Sequence, residues 1–215
     1  MLILASASPR RRDLLTQAGF LFEVVPAEIC EDLRPGEQPI PYVLRLARAK
    51  AEAVAASPRF HALAAAHAAG PALILAADTT VVAPSGEILL KPEDDPDAAR
   101  MIRLLAGATH QVITGVALLA PAASGRAPIL ETAAEVTHVT VAALSEEEIA
   151  AYIATGEPRG KAGAYAIQGR FGRCVPRVHG CYFNVVGLPL SLVASMIDGL
   201  ESRLRAGVAP QIVVP

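Results

Sequence analysis

The run LILAADTTVV at residues 73–82 is apolar except at Asp78, Thr79 and Thr80, and it constrains the chain more than any other stretch. Its length and content predict a strand from Leu73 to Val82. That strand runs straight into a carboxylate. Asp78 can stay charged in such surroundings only if it is solvated, hydrogen-bonded or paired with a cation. It is either a structural turn or cap aspartate or the anchor of a chemical site.

The rest of the chain supplies elements to pack around that strand. Leu2 to Ala5 is a short apolar strand. Ser8 and Pro9 read as an N-cap and first helical residue, with Gly19 as the stop. From Pro41, PYVLRLARAKAEAVAA carries an apolar stripe of helical spacing, and DDPDAARMIRLLAG predicts a helix capped by Asp95, started by Pro96 and stopped by Gly107. Residues 110–120 and 128–144 alternate well enough to form a long hairpin around PAASGRAP. Ser145 and Glu148 form a capping box for a helix ending at Gly156. AGAYAIQG and CYFNVVGLPL read as strands, GEILL as a further apolar strand, and Leu190 to Leu204 as the last helix. Crossovers together with a hairpin predict a mixed β-sheet flanked by helices, built as one domain over residues 1–215.

Composition narrows the function classes. A formal charge of −2 excludes a general nucleic-acid binder, and the absence of Trp leaves few surfaces on which bases could stack. Any anion site must therefore be local. Three cysteines, Cys30, Cys174 and Cys181, make no disulfide framework and fit a reducing compartment. Cys174, His179 and Cys181 are close in sequence, but no second CxxC or HxxxH pair supports zinc. MLILAS is too short for a signal peptide, and the uncharged stretch 60–77 is Ala-rich and broken at Gly70-Pro71, so no membrane association is expected and the cytoplasm is the expected location.

Arg10, Arg11 and Arg12 stand in the first turn of a helix, where the dipole disfavours cations by roughly 0.3–1 kcal/mol each. The helix near residue 96 obeys the rule and collects acids at its start. Three arginines are frustrated there unless they splay into solvent, pair with Asp13, Glu28 or Glu31, or hold an anion such as phosphate together with the free backbone N–H groups. A position just after a strand end favours the anion, because open α/β sheets bind ligands at strand carboxyl ends. Lysine gives a second signal: 16 of the 19 basic residues are Arg, and only Lys50, Lys91 and Lys161 are Lys. Lys50 falls on the apolar stripe of its helix. A compact ammonium suits point contact with phosphate or a buried carboxylate. GEPRGKAG is not a P-loop, since Thr155 stands at the first glycine position and Ala162 replaces the metal-binding hydroxyl.

LASASPRRRDLL, LARAKA, AADTTVV, KPEDDPDAARMIRLLAG, HQVITGVAL, YIATGEPRGKAGAYAIQG and NVVGLPL occur in this order over nearly the whole chain. Together they resemble the Maf (septum-formation-inhibitor-like) nucleotide pyrophosphatases. The resemblance implies a mixed α/β fold with two lobes and a cleft between them, a divalent cation (Mg2+ or Mn2+), and hydrolysis of a nucleoside triphosphate to monophosphate and pyrophosphate. It puts the proton acceptor at Asp78 and phosphate-binding groups at Ser6, Arg10, Arg11, Lys50, Lys91 and Lys161. Asp78 and Glu31 become the metal-side acids, and Arg12 falls outside the motif.

Arg10, Thr79 and Gln168 match the branch acting on dTTP and UTP. The branch acting on 7-methylguanosine triphosphate carries Trp, Gln and Glu at those positions. Gln168 can pair with the N3 donor and O4 acceptor of thymine or uracil, with Thr79 expected to fix its amide. Ala106 and Ala108 depart from the family's SGR and are expected to loosen a substrate contact. A non-catalytic nucleotide-binding regulator of cell division is the competing expectation, and a homodimer is left open.

Overall fold

The computed structural model describes residues 1–67, 71–122 and 126–206. Gly70 and part of the hairpin loop at 123–125 lie outside these residues. The chain runs β1 (Leu2–Leu4), α1 (Pro9–Gln17), β2 (Phe22–Val24), α2 (Pro39–Ala55), α3 (Pro58–Ala66), β3 (Leu73–Val82), β4 (Ile88–Leu89), α4 (Asp95–Leu105), β5 (Thr109–Ala120), β6 (Ile129–Thr140), α5 (Glu146–Ile153), β7 (Arg177–His179), α6 (Tyr182–Val186) and α7 (Leu190–Ala206). Among these residues no helix is long and apolar enough to cross a membrane.

The strands form one mixed sheet in the order β2-β1-β3-β5-β6-β7, with β4 also pairing β3. β2, β1 and β3 are parallel, and β5, β6 and β7 continue antiparallel. Helices cover the sheet, as a strand apolar on both faces requires.

β3 explains the two lobes. Residues 73–77 enter apolar clusters with α1 and α7 on one face and α2 and α3 on the other. Val81 and Val82 enter separate clusters with α4 and α5 on one face and the start of α2 on the other. Between them lies a polar belt, Asp78, Thr79 and Thr80, facing Gly115, Thr114 and Ile113 of β5. β1 accompanies β3 only as far as Leu75, and β4 joins only at Val81. Residues 76–80 thus have no strand beside them on that edge among the described residues, and the cleft opens at this gap.

Local chemistry sets the helix starts. The Ser8 side chain accepts from the Arg11 N–H, with Pro9 at the first position, and the Ser145–Glu148 capping box is present. Asp94, not the expected Asp95, caps α4 by accepting from the Asp97 N–H at 2.8 Å, because three consecutive acids leave the cap ambiguous by one residue. Two expected strands are not strands. Residues 162–169 form a 3-10 turn and loop, and 182–186 form helix α6. β2 and α3 had no forecast from the sequence, nor did β7. The hairpin pairs 109–120 with 129–140 and stops short of residue 144.

Gly115 lets α2 approach: a Cβ built on it would stand 2.6 Å from the Val43 carbonyl carbon and oxygen and 2.8 Å from the Leu44 nitrogen. Backbone cannot swing aside as a side chain can, so we expect Gly115→Ala to destabilise the fold by about 1–3 kcal/mol or more. Urea denaturation measures this, and a variant as stable as the wild type would contradict the α2–β5 contact.

Candidate active site

The cleft at the strand gap has a volume of about 540 Å³. Every residue to which the family resemblance gives a catalytic, binding or specificity role lines it: Ser6, Arg10, Arg11, Glu31, Lys50, Asp78, Thr79, Lys91, Lys161 and Gln168. Arg12 points away and meets Asp13 at 3.7 Å. Five cationic side chains face two carboxylates here, in a chain whose formal charge is −2. The local field therefore opposes the overall charge and draws anions to one place.

Lys50 and Asp78 are each 8% exposed. The Lys50 ammonium lies 2.6 Å from Asp78 Oδ1 and 2.6 Å from Glu31 Oε1. Glu31 uses its other oxygen to accept from Lys91 at 2.9 Å. Burial alone would raise the Glu31 carboxyl, but hydrogen bonds from both lysines outweigh it and hold the group down at about 2. A lysine on the apolar stripe of α2 is thereby explained: it pairs with the carboxylate that the apolar strand β3 buries. Lys91 stays exposed at the cleft mouth.

Arg11 is held on three sides. Its Nε donates to Gly187 O at 2.8 Å, Nη1 to Ser6 Oγ at 3.3 Å, and Nη2 to Thr79 Oγ1 at 3.0 Å. Gly187 ends α6 at φ 125°, a conformation that favours glycine. Burial lowers the Arg11 pKa, while Asp78 and Glu31 oppose that shift. The Thr79 hydroxyl is thus committed to Arg11, and to Thr114 at 2.9 Å, rather than to Gln168 as expected. Gln168 is exposed and lines the opposite rim.

That rim is the loop carrying Lys161 and Gln168. The Lys161 ammonium donates to Glu157 O, and burial followed by the nearby Arg10 charge lowers its pKa. The Glu157 carboxylate accepts from the Arg170 N–H at 2.9 Å and the Tyr152 hydroxyl at 3.0 Å, pinning the end of the loop. At its centre Ala164 sits at φ 60°, a costly conformation for a residue with a Cβ. Tyr165 beside it bonds the His110 ring Nε2 at 2.8 Å. Ala106 and Ala108 lie outside the cleft lining, in the turn between α4 and β5, where the Gly107 N–H donates to Ala142 O. The expected loss of a substrate contact there is not supported.

Thr114, Asn184, Gly187, His110 and Tyr165 went unread as site residues. Thr114 carried a usable signal, a hydroxyl inside the apolar run VITGVALL, the same kind of anomaly that exposed Asp78.

An open mixed α/β sheet with a cation-lined cleft at the carboxyl end of a parallel strand defines a class of phosphate-ligand sites. A sequence profile of the Maf-like protein family matches residues 1–200, and the chain belongs to that family. It is 52% identical over 207 residues to the dTTP/UTP pyrophosphatase of Koribacter versatilis, covering 96% of this chain and 95% of that protein. Identity to the dTTP/UTP pyrophosphatase of Geotalea uraniireducens is 47% over 200 residues, 93% of each chain. For that of Anaeromyxobacter dehalogenans it is 46% over 196 residues, 91% of this chain and 92% of the relative.

His110 is 1% exposed, and burial holds its imidazole down at about 4. An unfolded histidine titrates near 6.5, so from about pH 6.5 to pH 4 the unfolded state binds a proton that the native state does not. Stability therefore falls as pH is lowered through that window, by roughly 3 kcal/mol at most from this group. Urea midpoints at about pH 7 and pH 4.5 should differ less for His110→Gln than for the wild type. Equal differences would mean that His110 is not the group responsible.

Proposed function

We propose that the protein hydrolyses dTTP and UTP to the monophosphate and pyrophosphate. The observation that carries this reading is a cleft lined by Asp78 and five cationic side chains. The pyrophosphatase names of relatives at 46–52% identity over more than nine-tenths of the chain support the substrate.

In this reading Arg10, Arg11 and Lys161 neutralise the phosphates from one side, and Lys50 and Lys91 from the other. Ser6 donates its hydroxyl to a phosphate oxygen. Asp78 orients a water at the α-phosphorus and accepts its proton. The new water-oxygen bond to the α-phosphorus forms as the bond from that phosphorus to the α,β-bridging oxygen breaks, and pyrophosphate leaves. Fixed charges aimed at the developing negative charge carry most of the acceleration.

The donor set fits a hard divalent cation such as Mg2+ or Mn2+. Asp78 and Glu31 already converge on one positive centre, the Lys50 ammonium. Among the described residues no three His, Cys, Asp or Glu side chains group as a metal cage, and hard divalent cations favour oxygen ligands such as these two carboxylates. Asp78 and Glu31 would hold the ion, which when bound neutralises phosphate oxygens and acidifies water.

A panel of nucleoside triphosphates incubated with the purified protein and Mg2+ or Mn2+, with both products identified, tests the reading. Turnover of dTTP and UTP supports it; stoichiometric binding without turnover would favour the regulator instead. Asp78→Asn should lower turnover at least about 100-fold while nucleotide binding persists. Near-normal turnover would move the proton acceptor elsewhere.

Gln168 is proposed to read the base. Gln168→Glu replaces a donor-acceptor pair by acceptors alone, so dTTP and UTP turnover should fall by roughly 10- to 100-fold, with guanine nucleotides losing less. Equal losses for all nucleotides would assign Gln168 to loop structure.

A further inference from the structure

The three acceptors that hold Arg11 raise the question of what holds the acceptors. Thr79 and Thr114 are directly opposed on β3 and β5, with their hydroxyls 2.9 Å apart. Thr114 is fully buried and donates to the Asn184 backbone oxygen at 3.3 Å. With the Thr114 hydroxyl donating to Asn184 O, the donors run in one direction, from Arg11 Nη2 to Thr79 Oγ1 and from the Thr79 hydroxyl to Thr114 Oγ1. Each link polarises the next.

Asn184 closes the other route. It is fully buried, and its amide donates to Val112 O at 3.0 Å and Thr137 Oγ1 at 3.0 Å. Thr137 Oγ1 also accepts from the Cys181 N–H at 3.1 Å, so both ends of the first turn of α6 are tied to the sheet. α6 in turn delivers Gly187, whose one N–H donates to both Phe183 O and Asn184 O while its carbonyl accepts from Arg11 Nε. Two of the three acceptors of Arg11 therefore trace back to the same buried pair.

We infer that Thr114 and Asn184 are positioning residues that orient the Arg11 guanidinium toward a polyphosphate in the cleft. Neither lines the cleft. Without the Thr114 hydroxyl, the Thr79 hydroxyl turns to Gly187 O, 3.4 Å away, and competes there with Arg11 Nε. The inference deepens the proposed hydrolase reading and rests on the cleft being a polyphosphate site.

Thr114→Val keeps the volume and removes the hydroxyl, whereas Thr114→Ser keeps the hydroxyl and removes a methyl group. Tripolyphosphate binding by calorimetry and dTTP turnover are measured on the full chain, below the melting temperature of every variant. We expect Thr114→Val to weaken tripolyphosphate binding and kcat/KM by about five- to tenfold, the worth of one hydrogen bond. Thr114→Ser should stay within about twofold of wild type whatever its melting temperature. In an Arg11→Ala background Thr114→Val should add nothing further.

Wild-type affinity in Thr114→Val, affinities that simply follow melting temperature, or an undiminished effect in the Arg11→Ala background would each overturn the inference. If wild type binds tripolyphosphate with the expected ranking but cleaves neither dTTP nor UTP, the inference stands and the hydrolase reading falls. If wild type turns over dTTP and Thr114→Val matches it, the inference alone falls. A wild type that does not bind tripolyphosphate overturns the inference as well.

Discussion

The buried pair between Asp78 and Lys50 is the contact on which the arrangement depends. A carboxylate in the middle of an apolar strand needs a cation, and truncating one partner of such a pair typically costs about 3–5 kcal/mol. Lys50 can reach only if α2 lies close across the sheet, and α2 lies close because Gly115, directly opposite Asp78, has no side chain. The same ammonium recruits Glu31 from the irregular segment before α2. One electrostatic requirement thus sets the packing of a helix and the position of a loop.

The opposite face of the same two strands is organised by hydrogen bonds. Side chains alternate along β3, so Asp78 looks toward α2 while Thr79 looks toward α1 and α6. The adjacent pair serves a carboxylate-lysine centre on one side and an arginine centre on the other. Both are reachable from the cleft because β1 leaves the edge of β3 before this point.

Features with local causes were legible in the sequence: the Leu73–Val82 strand, the Ser8-Pro9 helix start, the Ser145–Glu148 box, the anomalous Asp78 and the misplaced Lys50. Features with distant causes were not. CYFNVVGL is rich in aromatic and β-branched residues and reads as a strand, yet 182–186 is helical because Asn184 and Cys181 are tied to Val112 and Thr137, more than 40 positions away. AGAYAIQG fails as a strand for a similar reason, its centre being held by the Tyr165–His110 bond. The Thr79 hydroxyl was expected to fix the Gln168 amide because nothing nearby in sequence shows that Arg11 claims it. Local propensity yields where side chains far apart in the chain satisfy each other's polar groups.

The hairpin of β5 and β6 runs twelve residues on each strand and passes beneath both lobes, while β3 is laddered to β5 from Ile74 to Val82. A hinge between the lobes would have to shear that continuous ladder. What borders the gap without belonging to the sheet is two irregular segments, the one bearing Glu31 and the one bearing Lys161 and Gln168. The floor is a fixed reference, and the groups that meet a ligand from the rim are set against it.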